Sequence, residues 1–183
     1  MSNQSDISGG RQASLLDFIV TIAVSAALFG YLSIAIYTKD LLWGWPVFDA
    51  QPVSGLVRCY GEEVILEENT THLLAISGMV NEQLTGKKRW DELNLSVQTH
   101  DEYLSTSRMM ILELFYNSPQ RLHSSSPFFS GFNSLLIPLD GRHSDASIVF
   151  ALIDGSPGGG SYHVQDFQNV VNYLAQNDIC TKP

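Results

Sequence analysis

Twenty-one consecutive residues, Phe18 to Thr38, carry no charged side chain. The apolar stretch proper runs over residues 15–37. As a helix rising 1.5 Å per residue it measures roughly 34 Å, enough to cross a hydrocarbon layer of about 30 Å. A soluble core helix rarely stays apolar on every face for six turns, because one side normally meets water. A cleaved signal peptide has an apolar region of roughly 7–15 residues ending at small residues. Val24-Ser25-Ala26 would suit a peptidase, but the apolar run continues well beyond it. The expectation is one transmembrane helix over residues 15–38, after a cytoplasmic tail of residues 1–14 and before an interfacial tether of residues 39–53. An extracytoplasmic domain of residues 54–183 completes the chain.

Direction follows from the flanking charges. Arg11 precedes the span, while Lys39 and Asp40 cancel just after it. The excess of basic residues on the cytoplasmic side then predicts a cytoplasmic N-terminus and a periplasmic, extracellular or lumenal C-terminal domain. Trp43 and Trp45 follow the span and fit the aromatic belt of a membrane interface. Ala23, Ala26, Ala27 and Gly30 recur at helical spacing, and small residues let a second helix approach closely.

Without Arg11, Asp6 and Asp17, the chain's basic and acidic residues leave nine against seventeen after the span, a net charge of −8. Such a domain repels phosphate backbones, so no nucleic-acid partner is expected. Cys59 and Cys180 lie near its two ends, on the side where disulfides persist, and are expected to pair. No zinc or haem spacing involves them, and the five histidines are scattered, so no metal or cofactor is expected. Asn69-Thr70-Thr71 and Asn94-Leu95-Ser96 match the glycosylation pattern, and Asn69 or Thr70 equally suits a helix cap.

The outer domain reads as α+β, a small antiparallel sheet packed with about two helices. Strands are predicted around residues 54–61, 109–116, 134–139 and 147–154. Residues 62–68 fit either a hairpin partner or a helix start. Leu93, Leu95 and Val97 alternate with polar residues and predict another strand. Ile148 to Ile153 is a central strand buried on both faces, and Pro138 puts its own strand at an edge or near its end. Leu73, Ile76, Met79 or Val80, and Leu84 mark a helix over residues 71–84. A second helix is predicted over residues 164–175. Residues 117–126 and the glycine run Ser156-Pro157-Gly158-Gly159-Gly160-Ser161 read as loose connectors.

No catalytic residue is assigned. Arg142-His143-Ser144-Asp145 holds the residue types of a hydrolase triad, but neighbours in sequence cannot adopt the relay geometry. Glu113 interrupts an apolar strand; buried there it would have a raised pKa and could do acid–base work, and otherwise it lies on a solvent face or pairs with Arg108 or Arg121. Phe128, Phe129 and Phe132 form an aromatic loop suited either to contacting a partner or to plugging the sheet.

The segment from Arg11 to Val20 resembles the start of a type IV pilin or pseudopilin, in which a glycine ends a short leader and a Glu lies just inside the apolar helix. Asp17 takes the place of that Glu, and Gln12 stands where the glycine belongs, two residues after Gly10. The resemblance implies a filament or secretion subunit with a long helical spine; Gly44 and Pro46 interrupt this one. The favoured reading is a non-catalytic accessory subunit of a multi-subunit membrane complex, its partners being other membrane subunits and the lipid bilayer. The alternative is a membrane-anchored extracytoplasmic enzyme.

Overall fold

The computed structural model describes residues 15–86, 88–91, 93–126 and 131–183. The apolar stretch forms one helix, α1 (Leu15–Thr38), long and apolar enough to cross a membrane. Only Ala35 and Thr38 of its residues are buried. The rest of the chain is α+β, a seven-stranded antiparallel sheet with three further helices.

β1 (Ser54–Cys59) turns into β2 (Glu62–Leu66) through Tyr60 and Gly61, both with positive φ. Two such residues make the tight turn whose twist matches paired strands, so residues 62–66 are a hairpin partner. α2 (Thr71–Leu84) starts where predicted, because the Thr70 hydroxyl accepts the Leu73 N–H at 3.3 Å. Its buried stripe includes Leu73, Ile76, Val80 and Leu84; of the two residues offered for the third position Val80 is buried and Met79 only partly so. β3 (Arg89–Asp91) and α3 (Val97–Ser105) follow.

The strand expected at Leu93, Leu95 and Val97 is not formed. Leu93 and Leu95 lie in the irregular segment before α3 and pack on the core, while Ser96 caps α3 by accepting the Thr99 N–H at 3.1 Å. Val97 is the first helical residue and is exposed. The three alternating residues are an irregular segment followed by a helix start.

β4 (Met110–Gln120) absorbs the first part of a stretch expected to be loose. β5 (Phe132–Asp140) pairs with β4, and β6 (Ile148–Ile153) pairs with β5. Pro138 lies near the end of β5, beyond Leu136, where pairing with β6 stops. The glycine run is a strand, β7 (Ser156–His163), and not a connector. Asp154 and Gly155, both at positive φ, turn β6 into β7. Ala151 faces a register shift in which Gly159 presses on it, so the glycines form a bulge within a paired strand. β3 pairs only with residues 161–163, which leaves Pro157 clear of β3 on that side.

α4 (Gln168–Gln176) begins later than predicted. Val164 still follows the sheet, donating its N–H to Ser147 at 2.9 Å, and the Asp166 carboxylate accepts the Gln168 N–H at 3.0 Å.

The strand order is β2-β1-β4-β5-β6-β7-β3. α2 and α4 pack on one face against Leu112, Leu114, Leu135, Ile137, Val149 and Tyr162. On the other face Tyr103 of α3 meets Met109, Ile111, Leu136, Ile148 and Phe150. The middle strands are therefore buried on both sides, which explains their continuous apolar runs. Cys59 and Cys180 form a disulfide with Cα atoms 5.5 Å apart, joining the end of β1 to the segment after α4.

Candidate functional site

The most elaborate polar arrangement lies where α1 meets the sheet domain. α1 stops before Lys39, whose φ of 54° places it in the left-handed region. Two closing bonds follow, Lys39 N–H to Ile36 and Asp40 N–H to Ala35. These satisfy two of the last carbonyls of the helix. Others are reached from the far end of β4. Arg121 donates through Nη2 to the Thr38 carbonyl at 2.7 Å and through Nη1 to the Lys39 carbonyl at 3.0 Å. A guanidinium there also complements the negative end of the helix dipole.

Asp40 is buried. Its Oδ1 accepts the Leu42 N–H at 2.9 Å and lies 3.0 Å from His123 Nδ1, while Oδ2 accepts the Ser124 N–H at 3.2 Å. Burial pushes its pKa up, but these hydrogen bonds and the nearby imidazole outweigh that and hold it below the usual carboxylate range.

The next turn folds back along α1. The Trp43 ring lies 5.4 Å from that of Tyr31, its indole N–H donates to the Tyr31 carbonyl at 3.3 Å, and the Tyr31 hydroxyl donates to the Leu41 carbonyl. Trp45 stays exposed.

The tether predicted over residues 39–53 is laid along α2. Gly86 N–H donates to Pro46, Asn81 Nδ2 to Ala50 at 2.9 Å and Ser77 Oγ to Gln51 at 3.0 Å. Phe48 enters the core beside Tyr116 and Phe132. Thus α1 is fixed to the domain by its last turn, by Asp40 and by the chain that follows.

A cavity of about 270 Å³ opens at this junction, lined by Trp43, Gly44, Pro46, Lys88, His123, Ser124 and Ser125. Burial holds the Lys88 pKa below its ordinary value.

Other candidate residues are distributed elsewhere. Glu113 is buried and bonds Arg58 at 3.0 Å, not Arg108 or Arg121, and Glu63 takes the other side of the same guanidinium at 3.2 Å. His143 bonds the Tyr103 hydroxyl, and Arg142 pairs with Glu102 at 2.9 Å, so the polar turn secures α3. A cleft of about 370 Å³ between β5 and α4 includes Tyr60, Asp140 and Lys182. The Tyr60 hydroxyl and Lys182 hold Asp140 below the usual carboxylate range despite its partial burial. Among the described residues no group of His, Cys, Asp and Glu is placed to hold a metal ion.

Phe132 is buried in the core rather than presented at the surface; Phe128 and Phe129 lie outside the described residues. Ala23, Ala26, Ala27 and Gly30 all lie exposed on α1, and no atom comes within 4 Å of where a Cβ on Gly30 would sit.

No family model, curated protein or solved structure matches this chain.

Arg121, His123, Asp40 and Lys88 were not singled out by sequence reasoning as site residues. Their grouping depends on partners separated by as many as 84 positions, for which no local pattern exists.

Proposed function

We propose that this chain is a non-catalytic accessory subunit of a multi-subunit membrane complex. In this reading α1 crosses the bilayer with its N-terminus in the cytoplasm, and the acidic domain covers the outer surface of the neighbouring subunits. The observation that carries the reading is the fixed mount of the helix on the domain through Arg121, Asp40 and His123. A tethered enzyme needs only to stay near the bilayer, and a flexible linker achieves that. A part that must register with neighbouring chains needs its orientation held.

Three further features support the same reading. α1 offers an unpartnered apolar surface with small residues at helical spacing, through which membrane helices associate. Trp43 and Trp45 suit the headgroup level, and the Cys59–Cys180 bridge suits an oxidising compartment. Ala35, Thr38 and Asp40 are buried at the junction, which favours retention of the helix over its removal as a signal.

The test is purification of the full chain from native membranes in mild detergent. Companion membrane chains should copurify at fixed stoichiometry, and photocrosslinkers at Ala26 or Gly30 should capture them. Isolation as a monodisperse monomer with no crosslinked partner would overturn the proposal. A methylated mature N-terminus just after Gly10 or Gln12 would favour a pilin-like subunit instead.

A further inference from the structure

The junction cavity differs in charge from the rest of the domain. The domain is strongly acidic overall, yet Lys87, Lys88 and Arg89 are consecutive in sequence, and Lys88 lines this cavity. Among the described residues Lys88, half-buried, has no hydrogen-bond or ion-pair partner. The buried acid of the junction, Asp40, is already occupied by two backbone amides and His123. Arg121 is committed to the carbonyls of α1. A half-desolvated ammonium without a counter-ion is unfavourable, and an anion in the cavity would relieve it.

The other walls narrow the class of anion. Ser124 and Ser125 bring hydroxyls, which suit a phosphate, and Trp43 brings an aromatic face already packed on α1. At about 270 Å³ the cavity falls just below the roughly 300–1,000 Å³ of pockets for drug-sized molecules, a size suited to a headgroup. Its position beside the apolar helix and the Trp43 turn places it where headgroups lie if α1 is in a bilayer.

We propose that this cavity binds the phosphate of an anionic phospholipid headgroup, with Lys88 as counter-ion and Ser124 and Ser125 as hydrogen-bond donors. The proposal rests on the membrane reading of α1 given above. Occupancy would hold the domain at a set height and rotation against the bilayer surface. The shared chemistry is the phosphate; the lipid is distinguished from free phosphate by its attachment to the membrane.

The experiment uses the full chain reconstituted into vesicles of phosphatidylcholine alone, and of phosphatidylcholine with an equal amount of phosphatidylglycerol. One portion of the vesicles is washed with carbonate to test membrane attachment; the other is extracted at neutral pH, where Lys88 is charged, and analysed for bound lipid by native mass spectrometry. Wild type is expected to retain phosphatidylglycerol over phosphatidylcholine. Lys88→Gln is expected to lower that retention about fivefold, the scale of one basic side chain at an anionic surface. Lys182→Gln, which removes the same charge beside Asp140, should leave it unchanged.

Equal phosphatidylglycerol retention by wild type and Lys88→Gln, with the chain still in the membrane pellet, would overturn the site while leaving the membrane reading intact. Release from both vesicle types by carbonate would overturn the membrane reading and the site together. Excess inorganic phosphate should not strip the lipid; if it does, and binds the detergent-solubilised wild type but not Lys88→Gln, the headgroup assignment is overturned in favour of a soluble phosphate.

Discussion

Asp40 shows how one side chain holds two parts of the molecule. Its carboxylate receives the Leu42 and Ser124 amides and faces His123, all from a buried position. Asp40→Asn removes the charge that draws these donors and should lower stability by about 1.5–3 kcal/mol, read as a shift in the denaturant midpoint. The pH dependence has a definite sign. The folded pKa lies below the unfolded value of about 3.9, so the stabilisation is present above that value and is lost as pH falls through the folded pKa. Wild type should therefore lose more stability on acidification below about pH 5 than Asp40→Asn does, by unfolding curves at matched pH. In the sequence, Lys39 and Asp40 look like two cancelling surface charges. The burial of one of them depends on His123 and Ser124, over eighty positions away.

At the scale of elements, legibility follows how locally each is determined. α2 could be read residue by residue because its cap and its apolar stripe lie within one short segment. α3 and β7 could not. Leu93, Leu95 and Val97 alternate too briefly to separate a strand from a capped helix start, and the Ser96 cap was the signal that separates them. In β7 the glycines suggested flexibility, whereas Asp154-Gly155 before them is a strong hairpin signal.

The glycines of the two elements should respond oppositely to alanine. A Cβ at Gly159 would lie 2.6 Å from Ala151 Cβ and 2.8 Å from its carbonyl oxygen. Gly159→Ala should destabilise by about 1–3 kcal/mol, because the strands must separate. Gly78, inside α2, is exposed with open space around it, so Gly78→Ala should stabilise by about 1 kcal/mol. Thermal melts of both variants would show melting temperatures moving in opposite directions from wild type.

For the whole molecule, the Cys59–Cys180 bridge spans 121 positions and ties the segment after α4 to the end of β1. Closing so long a loop restricts the unfolded chain, and Cys59→Ser with Cys180→Ser should lower stability by about 2–5 kcal/mol. The measurement is guanidinium unfolding of the double variant against the oxidised wild type. The apolar helix, the acidic character of the domain after it, the disulfide and the α+β class were all legible without coordinates. Each depends on composition, on short-range periodicity, or on a pairing with one possible solution. The strand order, the burial of the central strands on both faces, the bulge that admits the glycine run and the clamp at the end of α1 were decided by tertiary structure alone. They arise from contacts between segments far apart in the chain, whose energies depend on which surfaces meet and not on what stands next to what.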